Sequence, residues 1–532
     1  MLAEEPKFSL AEALNDLDLD LTKHGNEHDR RDMARMGKIQ EMRRNFKSLT
    51  VIGFSAIIMC SWESLLSTAS LALENGGYAG LVYTWLFAWL GFNTVYASMG
   101  EMASIAPTTG GQYHWVSEFA PEKHQAFLSY IVGMLGVLGW QSLVASIAFQ
   151  AGTEIQGLFV LNYGDAYEFQ RWHGTLWVIL IILFAALFNT LLANRLHLVE
   201  GSILIVHVFG FFCVLVPLWL LSPRTASKVV WTEFRDPGWG SKGLSSLIGV
   251  VASVLPLLGA DASVHMAEEV QDAARTLPRS MLWSVNINGL MGWLTAITLC
   301  YCIGDLSTVL DTPTGYPFIQ VFYNSTQSLP ATNFMTIIVL FMATFSCVTI
   351  MASASRQIFA FARDQALPFS GWISKVHPTL GVPVNSVIIC VCISSALSFI
   401  NIASVVAYNN ILSLGSAALM VSYIVCIACF LWRRNSSEPA QMNKFSMGKY
   451  GNLVNIIAII FLSIVFIVAF FPPVPRPWLT WDTMNWSSVI FTTVLVWSIA
   501  YYYIWGRYIY EGPVKNVQKT EMIHETQSHQ YV

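Results

Sequence analysis

The sequence predicts an all-α membrane protein with about twelve transmembrane helices. Of its 532 residues, 54% are hydrophobic and only 12% are charged, whereas about 25% of residues are charged in soluble proteins. Twelve long apolar stretches are present, close to or above the roughly 20 residues that a helix needs to cross a bilayer. Membrane strands instead alternate over about ten residues, so helices are the predicted spanning element.

The predicted spans follow one another with polar connections between them. We number them 1 to 12 in chain order, at residues 50–73, 80–105, 126–150, 174–193, 197–221, 244–267, 281–303, 331–361, 384–402, 405–432, 452–471 and 487–506. They form one polytopic domain at 48–507, between an N-terminal tail at 1–47 and a C-terminal tail at 508–532. The N-terminal tail is predicted to be partly disordered, without a cleavable signal peptide.

Basic residues predict the orientation of the spans. With the N-terminus in the cytoplasm, 23 of the 29 Lys and Arg residues fall on the cytoplasmic side, as the positive-inside rule requires. An even number of spans places both tails there, and we expect the protein in the plasma membrane. The sequon at Asn324 lies in an outside loop and is a predicted glycosylation site. A second sequon, at Asn485, lies close to the bilayer.

Other sequence patterns argue against competing classes of function. The basic residues before span 1 are predicted to fix the orientation and contact anionic lipid rather than nucleic acid. All nine cysteines lie in or at the ends of apolar spans, where they act as small hydrophobes and supply no metal site or disulfide framework. The sequence contains no Walker motif, HExxH, GxSxG or histidine cluster, so neither an enzyme nor a cofactor is predicted.

Two spans are interrupted by polar residues at corresponding positions. A carboxylate inside a membrane span is costly and marks a functional site, and a matched pair of interrupted spans points to the binding site of a transporter. The residues predicted to bind substrate are therefore Ser61, Trp62, Glu63 and Ser64 in span 1, and Gly259, Ala260 and Asp261 in span 6.

The interrupting residues have alternative roles. The Glu63 carboxylate is predicted to pair with a substrate ammonium or to accept a coupling proton, and a purely structural carboxylate is the alternative. Trp62 offers an aromatic face to an ammonium group or fills a helix contact. Asp261 contacts substrate or caps the second half of span 6 by accepting backbone N–H bonds. His265, beyond the break, has no assigned role.

Opposite charges cluster toward the cytoplasmic ends of the spans. Charge pairs there can close an inner gate and break during transport, as a two-state element of alternating access. Fixed interfacial charges are the alternative reading. The candidate gate residues are Glu268, Glu269, Arg275, Arg356 and Arg363.

Several blocks of the sequence resemble the amino acid/polyamine/organocation permease superfamily. They are Asn75-Gly76-Gly77, the run Gly100–Trp115, the segments 267–270 and 275–278, and the segment 355–368. Their order and the twelve spans extend the resemblance over nearly the whole chain. Within this superfamily, the chain is similar to the fungal amino-acid, GABA and choline permeases, and the blocks do not fix the substrate.

The resemblance implies a leucine-transporter-like fold of two inverted five-helix repeats, with spans 1 and 6 broken and two extra helices at the end. Gly259 and Asp261 match the Gly-x-acid break of this family. Leu257, Leu258 and Ala260 stand where many relatives carry an aromatic gating residue, which puts the gating and substrate size in question. His207 resembles a basic residue of proton-coupled relatives, and a packed histidine is the alternative.

The expected function is secondary-active, proton-coupled transport of a small nitrogenous solute. Candidate solutes are an amino acid, GABA, choline and a polyamine, each of which carries an ammonium group. A histidine titrates near pH 6.5 when unperturbed, so His207 and Glu63 are the predicted proton-coupling residues. A metabolite exporter of the same fold or a transporter-like nutrient sensor is the alternative.

Overall fold

The computed structural model describes residues 25–513 except 39, 404–406, 438, 441–443 and 482. The predicted tail residues 1–24 and 514–532 lie outside the described residues. Within the described residues, eleven helices are long and apolar enough to cross a membrane. The first, Ser48–Ile105, has 58 residues, or roughly 87 Å at 1.5 Å per residue, and contains both span 1 and span 2. The prediction of an all-α protein with about twelve spans is therefore confirmed.

The spans have the following bounds. Span 1 consists of Ser48–Met59 and the first part of Ser61–Ile105, and span 2 is the remainder of that helix. Spans 3 to 5 are Gln125–Tyr163, Arg171–Thr190 and Leu196–Leu221. Span 6 is divided into Lys242–Gly249, Val251–Val254, Leu255–Leu257 and Ala262–His265. The later spans are Ala273–Cys302, Leu329–Arg363, Val384–Ser398 with Ile400–Ala403, Ala407–Arg434, Gly451–Val468, and Ser487–Tyr501 with Tyr502–Gly506.

A glycine separates span 1 from span 2. Gly77 has φ 69° and ψ −162° inside the helix Ser61–Ile105, a backbone conformation that residues with a Cβ rarely adopt. A Cβ added at Gly77 would lie 2.9 Å from the backbone nitrogen of Arg235. The run Asn75-Gly76-Gly77 therefore lets the chain turn back against the connection between spans 5 and 6.

Both predicted interruptions are present, and the first is displaced by one residue. Cys60 is left-handed, with φ 42° and ψ 48°, and the helix resumes at Ser61. The polar run Ser61–Ser64 thus opens the second half of span 1 rather than forming the break itself. In span 6 the helical backbone stops after Leu257, and Gly259 has φ 103°.

The two five-span halves run in opposite directions through the membrane. We call the side of the N-terminal segment the N side and the opposite one the far side. Five spans carry the chain across an odd number of times, so span 1 starts at the N side and span 6 at the far side. The breaks occupy equivalent places in these inverted repeats, as do spans 3 and 8, the two longest single spans.

Residues 25–47 pack on the N side of the helices. Asp29 is 2% exposed and accepts from the backbone nitrogens of Asp272 and Ala273, at 3.0 and 3.1 Å, where span 7 begins. Arg44 lies 3.5 Å from Asp29 and donates to the carbonyls of Ala267 and Val270. Arg44, which was predicted to face lipid with the other basic residues, is therefore enclosed by protein.

Candidate functional site

A central cavity lies between the two breaks. Its volume is about 50 Å³, enough for a few water molecules and too small for a bulky amine in this conformation. Serine and threonine hydroxyls, an amide and one indole lie among its apolar walls. It is lined by Ile58, Met59, Ser64, Thr68, Trp140, Leu143, Ser146, Ile147, Gln150, Leu255, Leu258, Gly259, Ser346 and Ile350.

Two of the seven residues predicted to bind substrate line this cavity, Ser64 and Gly259. Ala260 is buried beside Gly259, and its backbone nitrogen donates to the Tyr96 hydroxyl at 3.2 Å. Ser61 faces span 7, where its hydroxyl donates to Asn288 Oδ1 at 2.6 Å. Side chains next to the breaks therefore contact different elements of the fold. The spacing of these residues in the sequence does not show which element each one contacts.

Glu63 and His207 are brought together. His207 Nδ1 lies 2.8 Å from Glu63 Oε1, and both side chains are 0% exposed. Glu63 Oε2 and His207 Nε2 have no hydrogen-bond partner within the described part of the chain. The pair joins the start of the second half of span 1 to the middle of span 5.

Trp62 also faces span 5. Its indole nitrogen donates to the carbonyl of His207 at 3.2 Å, and its ring packs edge-on against Phe211 at 6.0 Å. Its described contacts are with span 5, and it does not line the central cavity. The helix-contact alternative therefore describes the geometry of Trp62 in this conformation.

Asp261 occupies the N-cap position of Ala262–His265, but its side chain makes no capping bond. Its carboxylate accepts from Gln112 Nε2 at 2.6 Å and from the hydroxyl of Tyr423 on span 10. Asp261 therefore ties the break in span 6 to span 10 and to the short helix Gln112–Phe119. His265 Nδ1 donates to the carbonyl of Thr109 at 2.9 Å, which anchors the second half of span 6 in the same region.

Span 3 supplies cavity residues that the sequence patterns did not single out. Trp140 lines the cavity opposite Gly259, so an aromatic ring comes from span 3 where the break in span 6 carries only Leu257, Leu258 and Ala260. Gln150 also lines the cavity, and it donates to Glu154 Oε1 at 3.0 Å. Such residues cannot be identified from the sequence of a regular apolar helix, because that sequence does not show which face lines the cavity.

A second carboxylate lies buried near the cavity. Glu154 is 0% exposed, and its Oε1 accepts from the hydroxyl of Ser67 at 2.6 Å as well as from Gln150. Ser67 belongs to span 1 and lines a wider cavity of about 310 Å³ on the far side. Thr68 and Leu255 line both cavities, so these two side chains separate the central cavity from the outer one.

Four of the candidate gate residues form two ion pairs on the N side. Arg356 Nε donates to Glu269 Oε1 at 2.9 Å, and Arg363 donates to both oxygens of Glu268 at 2.6 and 3.1 Å. These pairs join span 8 to the connection between spans 6 and 7. Arg275 is exposed and forms no ion pair within the described residues. The structure therefore assembles four of the five candidate gate residues.

Lysine 38 extends this charged cluster. It pairs with Asp364, which also accepts from the hydroxyl of Tyr113 at 2.9 Å. Burial raises the pKa of Asp364, but Lys38 and Arg363 outweigh it and hold this pKa below its ordinary value. Burial likewise opposes ionisation of Glu268, and Arg363 lowers its pKa overall. Both carboxylates therefore stay ionised at neutral pH.

The inverted repeats, the paired breaks and the central cavity between them define a membrane transporter rather than an enzyme. A family model described as amino acid permease matches residues 45–496. The chain therefore belongs to the amino acid permease family, as the sequence resemblance predicted.

Named relatives and a solved structure agree with this assignment. The chain is 32% identical over 444 residues to a provisionally named amino acid/polyamine transporter of Macrophomina phaseolina, covering 82% of this chain and 97% of that one. It is 26% identical to the choline transporter of Saccharomyces cerevisiae, with 88% and 82% covered. It is also 27% identical to an amino-acid permease of Arabidopsis thaliana, with 91% and 96% covered. A crystal structure of a mutant manganese transporter from Eremococcus coleocola shares the fold, at TM-score 0.53 and 15% identity, covering 89% of this chain and 95% of that one.

Proposed function

We propose that this chain is a secondary-active, proton-coupled permease that imports a small solute bearing an ammonium group across the plasma membrane. The observation that carries the proposal is the buried pair of Glu63 and His207, 2.8 Å apart at the break in span 1. A pair of this kind changes its charge when it gains or loses a proton. In alternating access one bundle of helices rocks against the other around the site. In this proposal, a proton on the pair is linked to a movement of span 1 against span 5.

The geometry favours proton coupling over direct substrate contact for Glu63. Its bonded oxygen faces span 5, and Glu63 does not line the central cavity. In this proposal the indole ring of Trp140 binds the ammonium group by a cation–π interaction. The hydroxyls of Ser64 and Ser146 line the same cavity. The relatives named for amino acids, polyamines and choline handle solutes that share this group.

Net uptake by cells that lack their own permeases tests the proposal. Labelled amino acids, GABA, choline and polyamines are supplied at pH 5 and pH 7, with and without a protonophore. We expect uptake of one class that is faster at pH 5, abolished by the protonophore and lost in His207→Gln. Uptake that ignores both pH and protonophore refutes proton coupling. Binding without flux, despite surface expression, indicates a sensor, and faster efflux indicates an exporter.

Glycosylation tests the proposed orientation. Asn324 is exposed on the helix Pro317–Thr326, which lies on the far side. If the N side is the cytoplasm, this side chain faces the outside and is available for a glycan. We expect the wild-type protein from a eukaryotic host to lose apparent mass after glycosidase treatment, and Asn324→Gln to lack this change. A glycan that persists in Asn324→Gln assigns the modification to another residue.

A further inference from the structure

A further buried acid lies on span 5, nearer the N side than the pair of Glu63 and His207. Glu200 is 1% exposed, and its Oε1 accepts from the hydroxyl of Thr349 on span 8 at 2.9 Å. Its Oε2 has no hydrogen-bond partner among the described residues. Glu200 belongs neither to the central cavity, nor to the pair of Glu63 and His207, nor to the ion pairs on the N side.

Among the described residues, no buried cation forms an ion pair with Glu200. Lys47, which precedes the half-span Ser48–Met59, and Arg195, in the turn before span 5, are both exposed. The half-span Ser48–Met59 carries no acidic or basic side chain. On span 8, the nearest basic residue is Arg356, which donates to Glu269 and to Asn189 of span 4. Span 7, which also packs on span 5, carries Arg275 and Arg279, both exposed.

Span 5 itself carries two histidines that flank Glu200. His197 is half-buried one turn toward the N side. His207 lies seven residues further into the membrane, on the same face of the helix and about 10.5 Å along its axis. Glu200 is the fifth residue of Leu196–Leu221, about 6 Å from the end of the helix. It therefore lies between the proton-coupling pair and the N side.

The first half of span 1 packs directly against the backbone of span 5 at Glu200. A Cβ added at Gly53 would lie 3.3 Å from the carbonyl oxygen of Glu200, so the half-span Ser48–Met59 rests directly on this part of span 5. An ionised carboxylate that is buried without a cation costs several kcal/mol. In this conformation the neutral, protonated form of Glu200 is therefore favoured.

We propose that Glu200 passes the coupling proton from His207 to the cytoplasm, a role that rests on the proposed function. When the N side opens, the O–H bond of Glu200 breaks and its proton goes to water. The resulting carboxylate then takes a proton from the imidazolium of His207, through water that enters between spans 1, 5 and 8. His207 becomes neutral, Glu200 is protonated again, and one proton has moved from the pair to the N side.

The variant Glu200→Gln tests this role. Its amide keeps the size of the side chain and an oxygen that accepts from Thr349, but it has no ionisable proton. We expect net uptake driven by a pH gradient to fall at least about tenfold, as expected when a proton-transfer group is removed. Exchange of labelled for unlabelled substrate at equal pH should persist, because it needs no net release of protons. Glu200→Asp, which keeps an acid, should restore part of the net uptake.

Glu122→Gln is the matched control, since it makes the same change at an exposed position on the N side. It should leave both uptake and exchange unchanged. Normal net uptake by Glu200→Gln, in a protein whose wild-type uptake is proton-driven, overturns the inference and leaves the proposed function intact. Loss of exchange together with uptake also overturns it, by assigning Glu200 a structural role. Wild-type uptake that ignores pH instead refutes the proposed function.

Discussion

Arg356 Nε donates to Glu269 Oε1 at 2.9 Å across 87 positions of the sequence, and this bond joins the N-side half of span 8 to the connection that follows span 6. Arg356 is fully buried and also donates to Asn189 on span 4. Arg356 therefore links span 4, span 8 and the connection between spans 6 and 7 in this conformation.

Glu269→Gln should destabilise the closed N side. Removing one partner of a buried ion pair costs about 3–5 kcal/mol, because the other charge is left buried. We expect a lower Tm in detergent, measured by fluorescence scanning. The double variant Glu269→Gln/Arg356→Gln should recover part of the loss, since no buried charge remains. Arg275→Gln, at an exposed and unpaired position, is the control and should change Tm little. Equal Tm values for Glu269→Gln and Arg275→Gln would contradict the assignment.

The pair of Lys38 and Asp364 predicts a pH-dependent contribution to stability. Because the pKa of Asp364 is lowered in the folded protein, its ionised form adds stability above the unfolded value near 4, and this is lost as pH falls through the folded pKa. Lys38→Gln should therefore lower the unfolding free energy by about 1.5–3 kcal/mol at pH 7. The Tm gap to wild type should shrink below about pH 4. A gap that is constant from pH 7 to pH 3 would exclude this origin.

Trp140 is predicted to recognise the substrate ammonium. A desolvated cation–π contact contributes about 1–2 kcal/mol, so Trp140→Leu should raise KM by about tenfold, while Trp140→Phe should raise it less. The quantity to measure is the initial uptake rate against substrate concentration. Trp283→Leu is the control, because that indole is 60% exposed on the outer surface of the helices. An unchanged KM in Trp140→Leu would place the ammonium elsewhere.

The turn between spans 1 and 2 should require glycine at residue 77. Gly77→Ala combines φ 69° with a contact of 2.9 Å to the Arg235 nitrogen, and strain of this kind costs about 1–3 kcal/mol. Gly243→Ala is the matched control, since Gly243 lies in a helix with no atom closer than 3.7 Å to an added Cβ. Gly77→Ala should lower Tm and Gly243→Ala should not. Similar Tm values for the two variants would show that the turn tolerates a side chain.

Tyr423→Phe should weaken the link between spans 6 and 10. The hydroxyl of Tyr423 donates to Asp261, and removing a bond to a buried charged group costs about 1.5–3 kcal/mol. Because Asp261 follows the break in span 6, we expect slower uptake at nearly unchanged expression. Tyr83→Phe, whose hydroxyl makes a 3.4 Å contact with the carbonyl of Trp231, provides a control at an exposed position. A wild-type rate in Tyr423→Phe would show that Gln112 alone holds Asp261.

The sequence by itself determined the spanning helices, the two breaks and the family. Apolar length is a local property, and a polar interruption such as Gly259–Asp261 is visible within one helix. Ion pairing of the carboxylates at 268 and 269 was also predictable, because buried charges at the ends of spans are stabilised by partners of opposite sign. The partners themselves were not specified, and Arg275 shows that a charge at a span end need not join the gate.

Only the tertiary structure decided which side chains face which neighbour. Glu63 meets His207 instead of the central cavity, while Trp140 and Gln150 of span 3 line that cavity. The enclosure of Arg44 and the position of Glu200 beside Thr349 also depend on contacts between segments far apart in the chain. In a helix buried all round, most faces are apolar, so the sequence carries little periodicity from which to read orientation. The direction of each polar group is therefore fixed by the packing of the spans against one another.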